Sequence, residues 1–358
     1  MPGPSAGFGR ARAPLDTKGE RMLGMSRGAV GRSFGTMLVA LGACSVGVAL
    51  LAGFPLPATA ADTTLPRHPV LAAAPVPVPA SAPVAAPRAA SSATVSPLTG
   101  VDQRVPRSDG AYANLHVFRP SSACRGVAVL SPGAGDDRDA LSWLGRALSQ
   151  YGWLTVTMAH KESGHDSLRD RVRSGGLRDG LLALTTDPEA YDDRLEDAGA
   201  ALHWARTQCR AGPAIFAGHS MGAATVMIEA GAKNKLGLDS DDRFDGYIAL
   251  SPQGAGPIFP SGAWHDIRKP VLLVTGTRDA PLDGKWQTRT EPFADLPAGC
   301  HWLAVVDSAT HFNFAGFGYG HGDIEAKVLP LIQRFLDSVR MQRCAIPTPA
   351  TGVKFEAK

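Results

Sequence analysis

The stretch that most limits what this chain can become is Pro213 to Ala230, reading PAIFAGHSMGAATVMIEA. A short apolar run leads into Gly218-His219-Ser220-Met221-Gly222, and a helix-forming run rich in Ala and Met follows. Ile215, Phe216 and Ala217 read as a buried strand, and no Pro or Gly interrupts Ala223 to Ala230. Strand, sharp turn and helix around G-x-S-x-G are the local structure that lifts a serine hydroxyl clear of a sheet. Without Cβ atoms at Gly218 and Gly222, strand and helix can approach closely.

A serine in that position needs a base, and the base works best when a carboxylate orients it. Two residues lie downstream where a strand gives way to a loop. Asp279 follows the apolar run Val271–Thr275, and His311 follows Trp302–Val306. In a parallel sheet these strand ends share one edge with Ser220, so distant residues converge there. Asp283 is an alternative acid four residues on. Of the other histidines, His219 is expected to shape the turn and His301 to lie at the opposite sheet edge. His321 falls in a Gly-rich segment read as a mobile loop. His160 and His165 are read as solvated, with lining of a pocket as the alternative.

The rest of the catalytic region alternates strands with helices. Val101–Val105 and Tyr112–Phe118 read as antiparallel strands, Gly126–Leu130 and Trp153–Met158 as buried ones. The loop Ser131-Pro132-Gly133-Ala134-Gly135 sits between a strand and a helix N-terminus, which aims backbone N–H groups at one spot. Residues 159–185 look like an insertion, polar at first and then helical from Ser167 to Leu184. Ala190–Thr207 is an amphipathic helix with Leu195, Ala198, Leu202 and Ala205 on one face. Gly246–Leu250 reads as a further strand. A last helix runs from about Asp323 to Met341, where a kink is expected at Pro330. The fold class is therefore α/β, with about eight mostly parallel strands and helices on both faces.

Outside this region the composition changes. Arg27 and Arg32 precede a charge-free apolar stretch from Ser33 to Ala61, and Ala58-Thr59-Ala60 supplies small residues for cleavage. Residues 1–60 thus read as a signal region, with Met25 as a plausible start and the protein exported. A retained anchor at Phe34–Phe54 and a lipoprotein box at Leu41–Cys44 are the alternatives. Residues 61–96 are a Pro/Ala-rich linker, 97–345 the catalytic domain and 346–358 a C-terminal tail. The formal charge of +3 comes from the leader. Without its six basic and two acidic groups, 30 basic and 31 acidic side chains remain, a net of −1. Such a balance gives no electrostatic grip on nucleic acid. No H-E-x-x-H or CxxC occurs, and the acidic run Asp239–Asp245 has Arg243 and Phe244 where a calcium loop needs a ligand and Gly. No metal or cofactor is expected.

Taken together, GHSMG, VLSPGAGDDR, ALSPQGAG, KPVLLVTGTRDAPL and DSATHF resemble the α/β-hydrolase superfamily. Within it they are most similar to the dienelactone-hydrolase-like group that includes the platelet-activating-factor-acetylhydrolase type. The resemblance spans roughly residues 97–341. It implies Ser220 as nucleophile, Asp279 as acid and His311 as base, with oxyanion donors at the backbone N–H groups of Met221 and Ala134. Pro132 stands where that group often has His, and Ser220 where dienelactone hydrolases proper have Cys. A general ester is therefore the expected substrate, small or lipid-like. A polyester hydrolase and a catalytically silent, envelope-tethered binding protein are the alternatives.

Four cysteines remain past the leader, an even count that suggests disulfides in an exported chain. In the superfamily the strand after Cys124 neighbours the strand after Cys209. The resemblance therefore implies the pairs Cys124–Cys209 and Cys300–Cys344.

Overall fold

The computed structural model describes residues 100–136, 139–282 and 284–358. The signal region and linker lie outside the described residues, as does Asp283. In chain order the elements are β1 (Val101–Pro106), β2 (Tyr112–Phe118), β3 (Gly126–Ser131), α1 (Ser142–Gln150), β4 (Trp153–Ala159), α2 (His165–Thr185) and α3 (Pro188–Gln208). They continue with β5 (Ala214–His219), α4 (Met221–Glu229), β6 (Gly246–Leu250), β7 (Val271–Arg278), α5 (Glu291–Asp295), β8 (His301–Thr310), α6 (His311–Ala315), α7 (His321–Arg340) and β9 (Val353–Ala357).

All nine strands join one sheet in the order β1-β2-β4-β3-β5-β6-β7-β8-β9. The six from β4 to β8 run parallel, while β1, β2 and β9 close the two sides antiparallel. Central strands in such a sheet are covered on both faces, so they read as continuous apolar runs. Every residue of β3, β5 and β6 is buried.

Alternation along the strands divides the core in two. Val127, Val129, Phe216 and Leu273 point to the face covered by α3 and α4. Their neighbours Ala128, Leu130, Ala217 and Leu272 point to the face covered by α1 and α7. Helix α4 is buried along its whole length, which fits its Ala- and Met-rich sequence. Asp187 caps α3, its side chain accepting from the Glu189 N–H, with Pro188 in the first turn.

Two expectations are corrected here. Residues 346–358 are not all tail, because β9 pairs with β8 from Trp302↔Ala357 to Val306↔Val353. Val353-Lys354-Phe355-Glu356-Ala357 alternates apolar and polar as a strand does, but a run of five residues is too short to stand as a strand without its partner β8. His321 is not in a mobile loop. It opens α7 and bonds Glu325, one turn on, at 2.7 Å. Helix α7 spans Pro330 as one element. The cysteines pair as Cys124–Cys209 and Cys300–Cys344, with Cα separations of 6.1 and 5.6 Å. Both lie at the sheet edge where β3 and β8 begin.

Candidate active site

The turn between β5 and α4 holds Ser220 in a conformation that L residues rarely adopt, φ 54° and ψ −118°. Two close approaches explain the glycines on either side. A Cβ on Gly218 would fall 2.3 Å from the Gly222 carbonyl oxygen, and one on Gly222 would fall 1.9 Å from that of Ser131. The Ser220 N–H donates to the Leu250 carbonyl at the end of β6, which ties the turn to the neighbouring strand. Packed this way, the hydroxyl stands at the carboxyl edge of the sheet.

Two further strands deliver groups to the same edge. The Ser220 hydroxyl lies 2.9 Å from His311 Nε2, and His311 Nδ1 lies 2.8 Å from Asp279 Oδ1. The second oxygen of Asp279 accepts from Thr275 Oγ1 at 2.9 Å. With Nδ1–H donating to the carboxylate, Nε2 is left as an acceptor for the serine proton. Thr310 and Asn313 cap the short helix that begins at His311, through Thr310 N–H and Oγ1 to Asn313 Oδ1. His219 donates from Nε2 to the backbone carbonyl of His311 at 3.0 Å, linking the two elements.

Burial sets the charge states. Asp279 is fully buried, and desolvation alone would raise its pKa. The His311 hydrogen bond and the charge of Arg289 outweigh that, holding the carboxyl below its usual 3.8. Desolvation also pulls His311 below 6.5, with His219 and Arg289 adding to the effect against the pull of Asp279. An imidazole kept neutral at pH 7 is in the form that accepts a proton.

Arg289 was not legible in the sequence. It sits in a short 3-10 turn, Trp286–Thr290, and is only 4% exposed. Its Nε donates to the backbone carbonyl of Asp279 at 2.6 Å and lies 3.0 Å from Oδ1. Nη1 donates to the carbonyls of Ser251 and Pro252 at 2.8 and 3.1 Å, and Nη2 lies 3.2 Å from His311 Nδ1. One guanidinium thus braces the loops after β6 and β7 together. A lone Arg with no periodic pattern around it carries no signal of that role.

The remaining histidines divide as follows. His301 opens β8 at the opposite edge, fully buried, and desolvation lowers its pKa to about 4. His165 is exposed. His160 is not solvated: it is 4% exposed and bonds Ser131 Oγ at 2.9 Å and Asp197 Oδ2 at 2.8 Å. That is a second Ser, His and Asp chain, but Ser131 is fully buried and no substrate can reach it. The one sequence sign was Asp197 beside Ala198 on the buried stripe of α3.

The strand order, the antiparallel second strand and the placement of Ser220 after β5 define the α/β-hydrolase fold. Neither a scan of protein-family profiles nor a comparison with curated proteins gives a match. Among solved structures, the chain is similar to a protein from Klebsiella pneumoniae provisionally named a dienelactone hydrolase. The two share 16% identity at a TM-score of 0.49, over 66% of this chain and 98% of that one.

Proposed function

We propose that this protein is an exported serine hydrolase that cleaves carboxylic esters through an acyl-enzyme. The observation that carries this reading is the hydrogen-bonded run Ser220, His311, Asp279 at 2.9 and 2.8 Å on one sheet edge. His311 takes the Ser220 proton as the hydroxyl oxygen attacks the ester carbonyl, then returns it to the departing alcohol. Water, deprotonated by the same imidazole, attacks the acyl-enzyme and releases the acid. Asp279 fixes the tautomer and stabilises the imidazolium that forms in each step. The N–H groups of Met221 and Ala134 receive the oxyanion. Met221 is the first residue of α4, where an N–H has no acceptor within the helix. Each such donor contributes about 3 kcal/mol of transition-state stabilisation.

Export is supported by the two cysteine pairs. Among the described residues no helix is long and apolar enough to cross a membrane. An apolar, lipid-like ester is favoured by the short segment after the base. Phe312, Phe317 and Tyr319 are 65%, 46% and 103% exposed within eight residues of His311. Their ring faces suit acyl chains or aromatic esters.

Turnover of p-nitrophenyl esters of increasing acyl length, with fluorophosphonate labelling, tests the reading. The protein should label at Ser220, and Ser220→Ala should abolish turnover while keeping the unfolding midpoint. Turnover that survives in Ser220→Ala would refute Ser220 as the nucleophile, and a parent protein that neither labels nor turns over ester would leave a binding protein as the better account.

A further inference from the structure

We infer that Arg194, a buried arginine on α3, positions the oxyanion loop by gripping the carbonyl oxygens that precede Ala134. The inference rests on the reading of Ser220 as nucleophile and adds a positioning residue to it.

Arg194 is 1% exposed, and burial lowers its pKa to about 10. Enclosing a guanidinium costs several kcal/mol unless nearly every N–H is used. Here most of them are used on one loop. Nη1 donates to the Pro132 carbonyl at 2.7 Å and to Ser131 Oγ at 3.2 Å. Nη2 donates to the Gly133 carbonyl at 3.1 Å, and Nε to Ser163 Oγ at 2.7 Å.

The Gly133 contact matters most. The carbonyl of Gly133 and the N–H of Ala134 belong to one peptide unit. No peptide bond in the described chain is cis, so the two groups point in opposite directions across a rigid plane. Holding the oxygen on the Arg194 side therefore aims the Ala134 N–H away from it. The loop lies against the nucleophile: a Cβ built on Gly133 would stand 3.5 Å from Ser220 Cβ. The flanking N–H groups are engaged elsewhere, Gly133 to Asp136 Oδ2 at 2.9 Å and Gly135 to the Ser163 carbonyl at 2.8 Å.

A second chain of bonds stiffens Arg194 itself. Ser131 Oγ accepts from Arg194 and donates to His160 Nε2, whose Nδ1–H donates to Asp197 Oδ2. Asp197 Oδ1 accepts from Arg107 Nη1 at 3.2 Å. Burial, then the charges of Arg194 and Arg107, keep His160 neutral, which is the form this direction requires. The buried Ser131, His160 and Asp197 thus support a loop and perform no acyl transfer. Arg194 and Asp197 stand one turn apart on α3, so the helix packed on the sheet reaches the site through them.

The test compares Arg194→Met and Arg194→Lys with the parent protein on a short p-nitrophenyl ester and on a trifluoromethyl ketone, whose adduct oxygen occupies the oxyanion position. Lysine keeps a buried charge but cannot grip two carbonyls in a plane. We expect kcat to fall roughly 10²-fold in both, a large part of what losing one oxyanion donor costs. KM should stay within about threefold. Affinity for the ketone should fall in step with kcat/KM, and the acid limb of the pH profile should not move. If Arg194→Met does not fold, Arg194→Lys carries the comparison. A folded variant with kcat within about threefold of the parent, or one whose loss lies in KM, overturns the inference. Failure of Ser220 to label in the parent protein would instead sink the reading of the site.

Discussion

Replacing Arg289 by methionine is the sharpest single perturbation of the site, because one side chain holds three carbonyls and a carboxylate. Methionine keeps much of the stem volume and removes the charge and all the donors. Breaking a buried ion pair from one side costs about 3–5 kcal/mol, because the remaining charge is left uncompensated. Here that charge is Asp279, which is fully buried. The carbonyls of Asp279, Ser251 and Pro252 also lose a donor. Unsatisfied buried acceptors cost about 1–3 kcal/mol each, but the vacated guanidinium space admits water, so these do not add in full. A total near 4 kcal/mol follows, about three powers of ten in the folding constant. The catalytic signature is separate. Arg289 disfavours the imidazolium of His311, so its removal raises that pKa. On the proposed mechanism His311 acts as a base only when neutral, so the acid limb of kcat/KM should move to higher pH. Denaturant unfolding and the pH dependence of p-nitrophenyl ester hydrolysis read the two effects. A midpoint within about 1 kcal/mol of the parent, with an unmoved acid limb, would refute the reasoning.

Two further expectations follow from packing and covalent structure. Gly222→Ala should be among the most damaging single-methyl additions, because its Cβ would meet backbone oxygens of Ser131 and Pro132 at 1.9 and 2.7 Å. Either the elbow or the loop must move, so activity should fall at least tenfold with about 2–3 kcal/mol of stability, measured on the same preparation. The chain-entropy model assigns the Cys124–Cys209 link, spanning 85 residues, about 4.6 kcal/mol, and Cys300–Cys344, spanning 44, about 4.0. Paired serine replacements should therefore lower the unfolding midpoint in both cases, more for Cys124 and Cys209, while leaving ester turnover intact at 25 °C.

How far the site could be read in advance depended on the kind of information each residue carries. Ser220 was legible because the constraint on it is local. A turn that tight needs glycine at 218 and 222, and those glycines sit within two residues of the serine. Asp279 and His311 were legible at one remove, since each follows an apolar strand and parallel strands end on a common edge. The helical spacing of apolar residues located α3 and α7, with ends off by one or two residues where caps and partners decide. Past residue 345 the sequence looked like a tail because the alternation of β9 covers only five residues, too short a run to count as a strand until β8 is there to pair with it.

The sequence by itself determined the elbow, the run of strands from β1 to β8, and which strand ends bring Asp279 and His311 to the edge that carries Ser220. Only the tertiary structure decided that Arg289 and Arg194 are buried, that His160 supports a loop, and that the last residues join the sheet. The physical reason is that a motif is a statement about neighbouring torsions, whereas burial of a charge depends on what several distant segments place around it. An arginine in a polar turn and one beside an amphipathic stripe read alike as surface groups until the carbonyls that receive their protons are brought into reach.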